Sequence, residues 1–151
     1  MWVLQGSYQS ERDFSLDGLA AARTRRLKWR NQVAKCRQGL AEEIDFDAET
    51  AFQAVLAATS ENLGSAAAFA YIDQLEIGSL EFWQQVEQLF GLGLLQDPAK
   101  PSAKVQKLLD ARIAARAKKD FTRSDELRDE LTSLGYNVLD TPDGQIWQYS
   151  R

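Results

Sequence analysis

The sequence predicts a mainly α protein, an antiparallel helical bundle followed by a small α+β subdomain made of two helices and a β-hairpin. Three observations carry that expectation. Four segments before residue 95 repeat apolar side chains at helical spacing, two prolines interrupt the chain at 98 and 101, and a turn at 142–144 separates two short strand-like stretches. A chain of 151 residues with 44% hydrophobic content can bury one core of ordinary size and a small appended unit.

The elements follow in order. Ser15 is a good N-cap, and the alanine-, leucine- and arginine-rich stretch behind it reads as a long helix to about Gly39. Asp47 caps a second helix that gathers Phe52, Val55 and Leu56 on one face and fades at Ser60. The run Ser60-Glu61-Asn62-Leu63-Gly64-Ser65 is a turn ending in a new cap, and Phe69, Ile72 and Leu75 mark a third helix that Gly78-Ser79 breaks. Phe82, Trp83, Val86, Leu89 and Phe90 make a fourth, closed by Gly91 and Gly93. Four such faces must pack on one another, so residues 1–95 are expected to form a bundle. Residues 96–102 are the best linker candidate. In residues 103–151, Ser102 caps a helix carrying Val105, Leu108, Leu109 and Ile113. A second helix from about Asp120 carries Leu127, Leu131 and Leu134 and stops at Gly135. Tyr136 to Thr141 and Gln145 to Tyr149 read as two strands around Pro142-Asp143-Gly144. Trp147 is expected to anchor the hairpin core, and Gly144 to serve the turn.

Composition excludes several functions. Cys36 is the single cysteine and there is no histidine, which leaves no disulfide within the chain and no Cys/His zinc site. Cys36 itself reads as a helix residue with a free thiol in a reducing compartment. No apolar run approaches the roughly 18 residues of a membrane span, and no signal-peptide layout opens the chain. A soluble, monomeric, cytoplasmic protein is expected. The net charge of -4 hides an uneven distribution. Residues 21–40 hold seven bases and no acid, residues 41–99 eleven acids and no base, and residues 100–151 ten bases against eight acids. A surface for RNA can therefore be built from the first and third blocks, and not from the second. The basic first block can equally be a helix face neutralised by the acidic helices beside it.

One stretch is more specific. Ala115-Arg116-Ala117-Lys118-Lys119-Asp120-Phe121, Ser124-Asp125-Glu126-Leu127-Arg128-Asp129-Glu130-Leu131, Gly135, Leu139-Asp140-Thr141-Pro142-Asp143-Gly144 and Trp147 stand in the order and spacing of a known pattern. The sequence there resembles the C-terminal end of cysteinyl-tRNA synthetases. A weaker likeness runs upstream: Ser7-Tyr8-Gln9-Ser10 and Phe14-Ser15 resemble the family's His-Tyr-Arg-Ser and Phe-Ser segment, and Ser60 to Ser65 stand in the place of an Asp-rich Asn-Thr-Pro turn. Both are eroded in this chain. The resemblance implies a class Ia, DALR-like bundle over residues 1–95 and an anticodon-binding subdomain over 103–151. The family's catalytic half, with its histidine-bearing nucleotide motif and its zinc, has no counterpart here, so this chain is expected neither to catalyse aminoacylation nor to hold a cofactor; the parent enzyme would use ATP and zinc. Met1 directly before Trp2-Val3-Leu4-Gln5 reads as a piece of such an enzyme, with a stand-alone paralogue as the alternative.

Unpaired bases are read by splaying them out, stacking them on aromatic or guanidinium planes and hydrogen-bonding their edges. Carboxylates accept from guanine or cytosine, and arginine donates to cytosine or stacks. The resemblance places Arg116, Phe121, Asp125 and Asp140 on the anticodon-reading surface, with GCA of tRNA-Cys as the anticodon; basic side chains such as Arg116 and Lys118 are expected to hold the backbone. Phe121 stands where some members have tryptophan, which keeps stacking and removes an N–H donor. Each residue also has a structural reading: Asp125 can pair with Arg128 along a helix, Asp140 can precede the turn at Pro142, and Phe121 can staple two helices. Partners expected on the family reading are tRNA-Cys and the parent's catalytic domain. The rival is a helical protein-interaction module, which an exposed patch of Phe82, Trp83 and Phe90 would favour.

Overall fold

A computed structural model of the chain describes Leu4 and residues 15–41, 47–60, 65–75, 78–97 and 100–149. Among these the chain is mainly helical, with α1 (Leu16–Gln38), α2 (Ala48–Ser60), α3 (Ser65–Gln74), α4 (Leu80–Phe90), α5 (Ala103–Ala117) and α6 (Phe121–Ser133). One antiparallel hairpin of β1 (Tyr136–Thr141) and β2 (Gly144–Tyr149) follows. None of the described helices is long and apolar enough to cross a membrane. The segments Ser7 to Ser10 with Phe14, and 61–64 of the predicted turn, lie outside the described residues.

The helix ends are set by short polar side chains, as expected where the first backbone N–H groups have no partner within the helix. The Ser15 hydroxyl accepts from Gly18 N–H, Asp47 from Thr50 N–H and Ser79 from Phe82 N–H. Asp47 also accepts from the Thr50 hydroxyl, and these bonds hold its carboxyl below the usual range. Ser65, expected as a cap, is instead the first residue of α3, and its hydroxyl donates to the Leu4 carbonyl. Gly91 ends α4 with φ 60°, a conformation in which a Cβ is strained, and its N–H closes on the Glu87 carbonyl.

The described chain divides into two compact units. The first takes residues up to Cys36 together with Ala41–Leu95; the second takes Arg37–Leu40 together with residues from Gln96 onward. In the first, Trp29 of α1 meets Phe69 of α3 edge-on at 5.3 Å and lies 5.8 Å from Trp83 of α4. Val33, Val55 and Ile72 complete a core that excludes water. Burying each such side chain contributes about 1.5–3 kcal/mol, which is why the aromatic spacing predicts packing. Phe82 and Trp83 are fully buried and Phe90 packs on Phe69, so the exposed aromatic patch that would favour a protein-interaction module is absent.

Several bases of the 21–40 block are tied within their own unit. Arg25 Nε and the Trp29 indole N–H both donate to the Asp73 carboxylate, at 2.7 and 2.9 Å. Arg26 donates to the carbonyls of Leu92 and Gly93, covering acceptors that follow the end of α4. The Glu87 carboxylate accepts from the N–H groups of Gly93 and Leu94. Of this block, Arg25 is thus paired with an acid and Arg26 is held by backbone carbonyls.

The second unit is built on α5, α6 and the hairpin. Its core joins Val105 and Leu109 of α5, Leu131 of α6, and Tyr136, Val138 and Trp147 of the strands. Trp147 lies 5.5 Å from Tyr136 in this core. The Gln38 side-chain amide donates to the Trp147 carbonyl and accepts from its N–H, and the Asp97 carboxylate accepts from Tyr149 N–H. Asp97, within the stretch expected to be a linker, is buried in this unit. Ile113, expected on the buried stripe of α5, faces solvent, and the inward place beside it belongs to Arg112.

Candidate nucleic-acid interface

The register of the hairpin determines what its inner face presents. Tyr136 pairs with Tyr149, Val138 with Trp147, and Asp140 with Gln145. Two apolar pairs are therefore followed, toward the turn, by one polar pair. Along α5 the residues Val105, Leu109, Arg112 and Arg116 share one helical face, apolar first and cationic last. Strand alternation and helix periodicity bring the polar ends of both stripes together.

Arg112 is fully buried and donates twice to Asp140, Nη1 to Oδ1 and Nη2 to Oδ2, both at 2.9 Å. Its Nη1 also donates to Gln145 Oε1 at 2.6 Å, and Gln145 Nε2 donates to the Leu109 carbonyl. Such a fork fixes the carboxylate in plane as well as in position. Two further guanidiniums approach the same oxygen: Arg116 Nη1 and Arg128 Nη2 each lie 3.3 Å from Asp140 Oδ2. Hydrogen bonding from Arg112, aided by the charges of Arg112, Arg116 and Arg128 against a smaller opposing effect of burial, holds the Asp140 carboxyl below the usual range. Oδ1 accepts only from Arg112 among the described residues and retains acceptor capacity.

The remaining predicted residues stand around this cluster. Asp125, with its side chain 68% exposed, lies 3.7 Å from Arg128 Nη1, so Arg128 reaches both Asp125 and Asp140. Phe121 opens α6 and is 60% exposed, which rules out the role of a buried staple. Lys118 caps α5, its N–H bonding to the carbonyls of Ala114 and Ala115, and its side chain faces solvent. Among the described residues no hydrogen bond or ion pair joins the side chains of Lys118 or Phe121 to the cluster. Lys119 follows with φ 59°; its N–H bonds to Arg116 and that of Asp120 to Ala115, a helix-ending turn that usually takes glycine. The structure thus brings together Arg116, Asp125 and Asp140 through arginine, and leaves Phe121 and Lys118 on the surface.

Arg112 and Gln145 are the members that the sequence reading passed over, and Arg128 enters it only as a helix partner of Asp125. A signal was present. Asp140 lies in phase with the inward-facing Tyr136 and Val138, and an inward carboxylate requires a buried cation, for which Arg112 holds the matching place on α5. Among the described residues no three His, Cys, Asp or Glu side chains gather as a metal ion would require. Cys36 is half-buried, and burial pushes its thiol above the ordinary range, away from nucleophilic use.

Comparison with known proteins supports the same region. Residues 100–147 match the family described as the cysteinyl-tRNA ligase anticodon binding domain. A cysteine–tRNA ligase of Novosphingobium aromaticivorans is 33% identical over 171 residues, covering 98% of this chain and 34% of the relative. One from Finegoldia magna is 27% identical across 99% of this chain and 37% of its own length. One from Nitratidesulfovibrio vulgaris reaches 60% identity over 45 residues, 30% of this chain and 9% of the relative. The chain therefore spans about a third of the length of the relatives it matches nearly throughout. With an anticodon-binding domain over residues 100–147 and similarity along almost all of its length, the chain belongs to the cysteinyl-tRNA ligase family.

Proposed function

We propose that the second unit binds the anticodon arm of tRNA-Cys and reads GCA, supporting cysteine attachment by a ligase whose catalytic half supplies the ATP and zinc chemistry. The observation that carries this reading is the gathering, inside the matched segment, of a fixed anionic carboxylate and half-exposed guanidiniums, with an exposed aromatic ring at the start of α6. These are the groups that unpaired bases require. In this reading Asp125 accepts from a base edge with little competition. Asp140 does so through Oδ1, Arg116 donates or stacks, and Phe121 stacks. Lys118 holds the backbone. The work of these residues is recognition, in the cytoplasm, with the chain acting beside a catalytic domain.

Titration of a synthetic anticodon stem-loop at low salt tests the reading, because long-range screening is then least. Asp125→Ala should weaken the GCA loop by about 1–3 kcal/mol and a mismatched loop little, since a base-edge contact carries sequence information. Phe121→Ala should weaken both by about 1–3 kcal/mol, stacking being tolerant of sequence. Lys118→Ala should weaken both loops about equally. An unchanged ratio of cognate to mismatched binding in Asp125→Ala would remove that residue from the reading surface.

A further inference from the structure

Three arginines converge on one carboxylate, and only one of them is needed there. Arg112 is buried, makes the bidentate pair and satisfies the Asp140 charge by itself. Arg116 and Arg128 approach Oδ2 at 3.3 Å, too long for a strong charge-assisted bond, and their side chains remain 40% and 43% exposed. Pairs of that kind contribute little to folding. Their cost is mutual repulsion between two cations drawn to the same oxygen. Asp125, at 3.7 Å from Arg128 Nη1, offsets part of one charge and is itself mostly solvated. Arg128 Nε is buried without a partner, while its Nη groups reach Asp140 and Asp125 and its side chain stays 43% exposed. The cluster of Arg112, Arg116 and Arg128 against Asp140 and Asp125 keeps a positive excess, presented by two guanidiniums that a shared anchor holds side by side.

We propose that Arg128 forms a clamp for a phosphodiester group of RNA, with Asp140 as its anchor and Arg112 as the buried group that positions the anchor. A planar fork fixed by a carboxylate matches two oxygens of a phosphate, and its placement is settled before the ligand arrives. Arg128 thereby acts on the RNA backbone and carries no base preference. The inference rests on the RNA-binding reading above, with a contact of a different class.

The test is the salt dependence of stem-loop binding by the full chain, with Arg128→Gln and Arg128→Lys. Arg128 is half-exposed and its ion pairs are long, so neither variant should lower the thermal midpoint appreciably. Arg128→Gln should weaken the GCA and the mismatched loop by the same factor and reduce the slope of log K against log salt by about 1, as expected when one phosphate contact is lost. Arg128→Lys should keep the slope, because it keeps the charge. An unchanged slope in Arg128→Gln would overturn the clamp. So would a change in the cognate-to-mismatched ratio at constant slope, which would make Arg128 a positioning group for Asp125. If the unaltered chain fails to discriminate the loops while the slope still falls in Arg128→Gln, anticodon reading is lost and the phosphate clamp stands. Intact discrimination with an unchanged slope sinks the clamp alone.

Discussion

Replacing Asp140 with alanine should destabilise the second unit far more than its position on a half-exposed strand suggests. The side chain of Asp140 is 30% exposed, whereas the Arg112 side chain that it pairs with is fully buried. Alanine removes both bonds of the fork and leaves Arg112 with Gln145 alone. Breaking a buried ion pair from one side costs about 3–5 kcal/mol, because the remaining charge is uncompensated. Water can enter from the open side of Asp140, which favours the lower end, about 3 kcal/mol or two decades in the folding equilibrium. Small units have only about 0.05–0.15 kcal/mol of stability per residue, so this loss would consume much of what a unit of roughly 60 residues possesses. Amide exchange at Val138 and Leu139 in β1 reads the effect locally. Asp125→Ala, removing an exposed carboxylate, should stay within about 0.5 kcal/mol. Combining Asp140→Ala with Arg112→Met should recover about 2 kcal/mol relative to additivity, since no orphan charge is left. A cost below about 1 kcal/mol for Asp140→Ala, or strict additivity in the double variant, would refute the reasoning.

Two further outcomes follow from local chemistry. The folded-state carboxyl of Asp140 titrates below its unfolded value, so its stabilisation is present above the unfolded pKa, about 3.9, and is lost as pH falls through the folded one. Acid unfolding followed by β1 amide exchange should lose part of its pH dependence in Asp140→Asn, and an unchanged profile would contradict this. Lys119 occupies the left-handed region where glycine is free of strain, so Lys119→Gly should raise stability by about 0.5–1 kcal/mol in urea denaturation, and a decrease would show that the turn is not strained there.

Much of the fold was legible because its signals are local. Ser15, Asp47 and Ser102 begin helices where short polar side chains can accept from free N–H groups, and Gly91 ends one where φ must be positive. The hairpin follows from strand alternation around Pro142-Asp143-Gly144, with β2 starting one residue earlier than expected, at Gly144. The long-range pairings were not legible. Nothing in the apolar spacing of α5 shows that Arg112 replaces Ile113 on the inner face, because a buried cation is stabilised by a partner 28 residues away. The basic block of α1 could be resolved only by seeing Asp73 beneath Arg25 and the carbonyls of Leu92 and Gly93 beneath Arg26. For the candidate site, the family spacing pointed to Arg116, Phe121, Asp125 and Asp140 and helix spacing to the pair of Asp125 with Arg128, while the reach of Arg128 to Asp140 required the three-dimensional arrangement.

The contacts of Gln38 and Asp97 with β2 bear on a hazard of small sheets. A two-stranded ribbon ends in a row of open N–H and C=O groups that can template pairing with another chain, the first step toward aggregation. Along β2 the groups on the side away from β1 are met by an amide that both donates and accepts at Trp147 and by a carboxylate that accepts at Tyr149. Two polar side chains thus stand in for a third strand. They occupy the Trp147 and Tyr149 positions of that edge with groups that cannot themselves propagate a ladder, which removes those positions as a template for another strand.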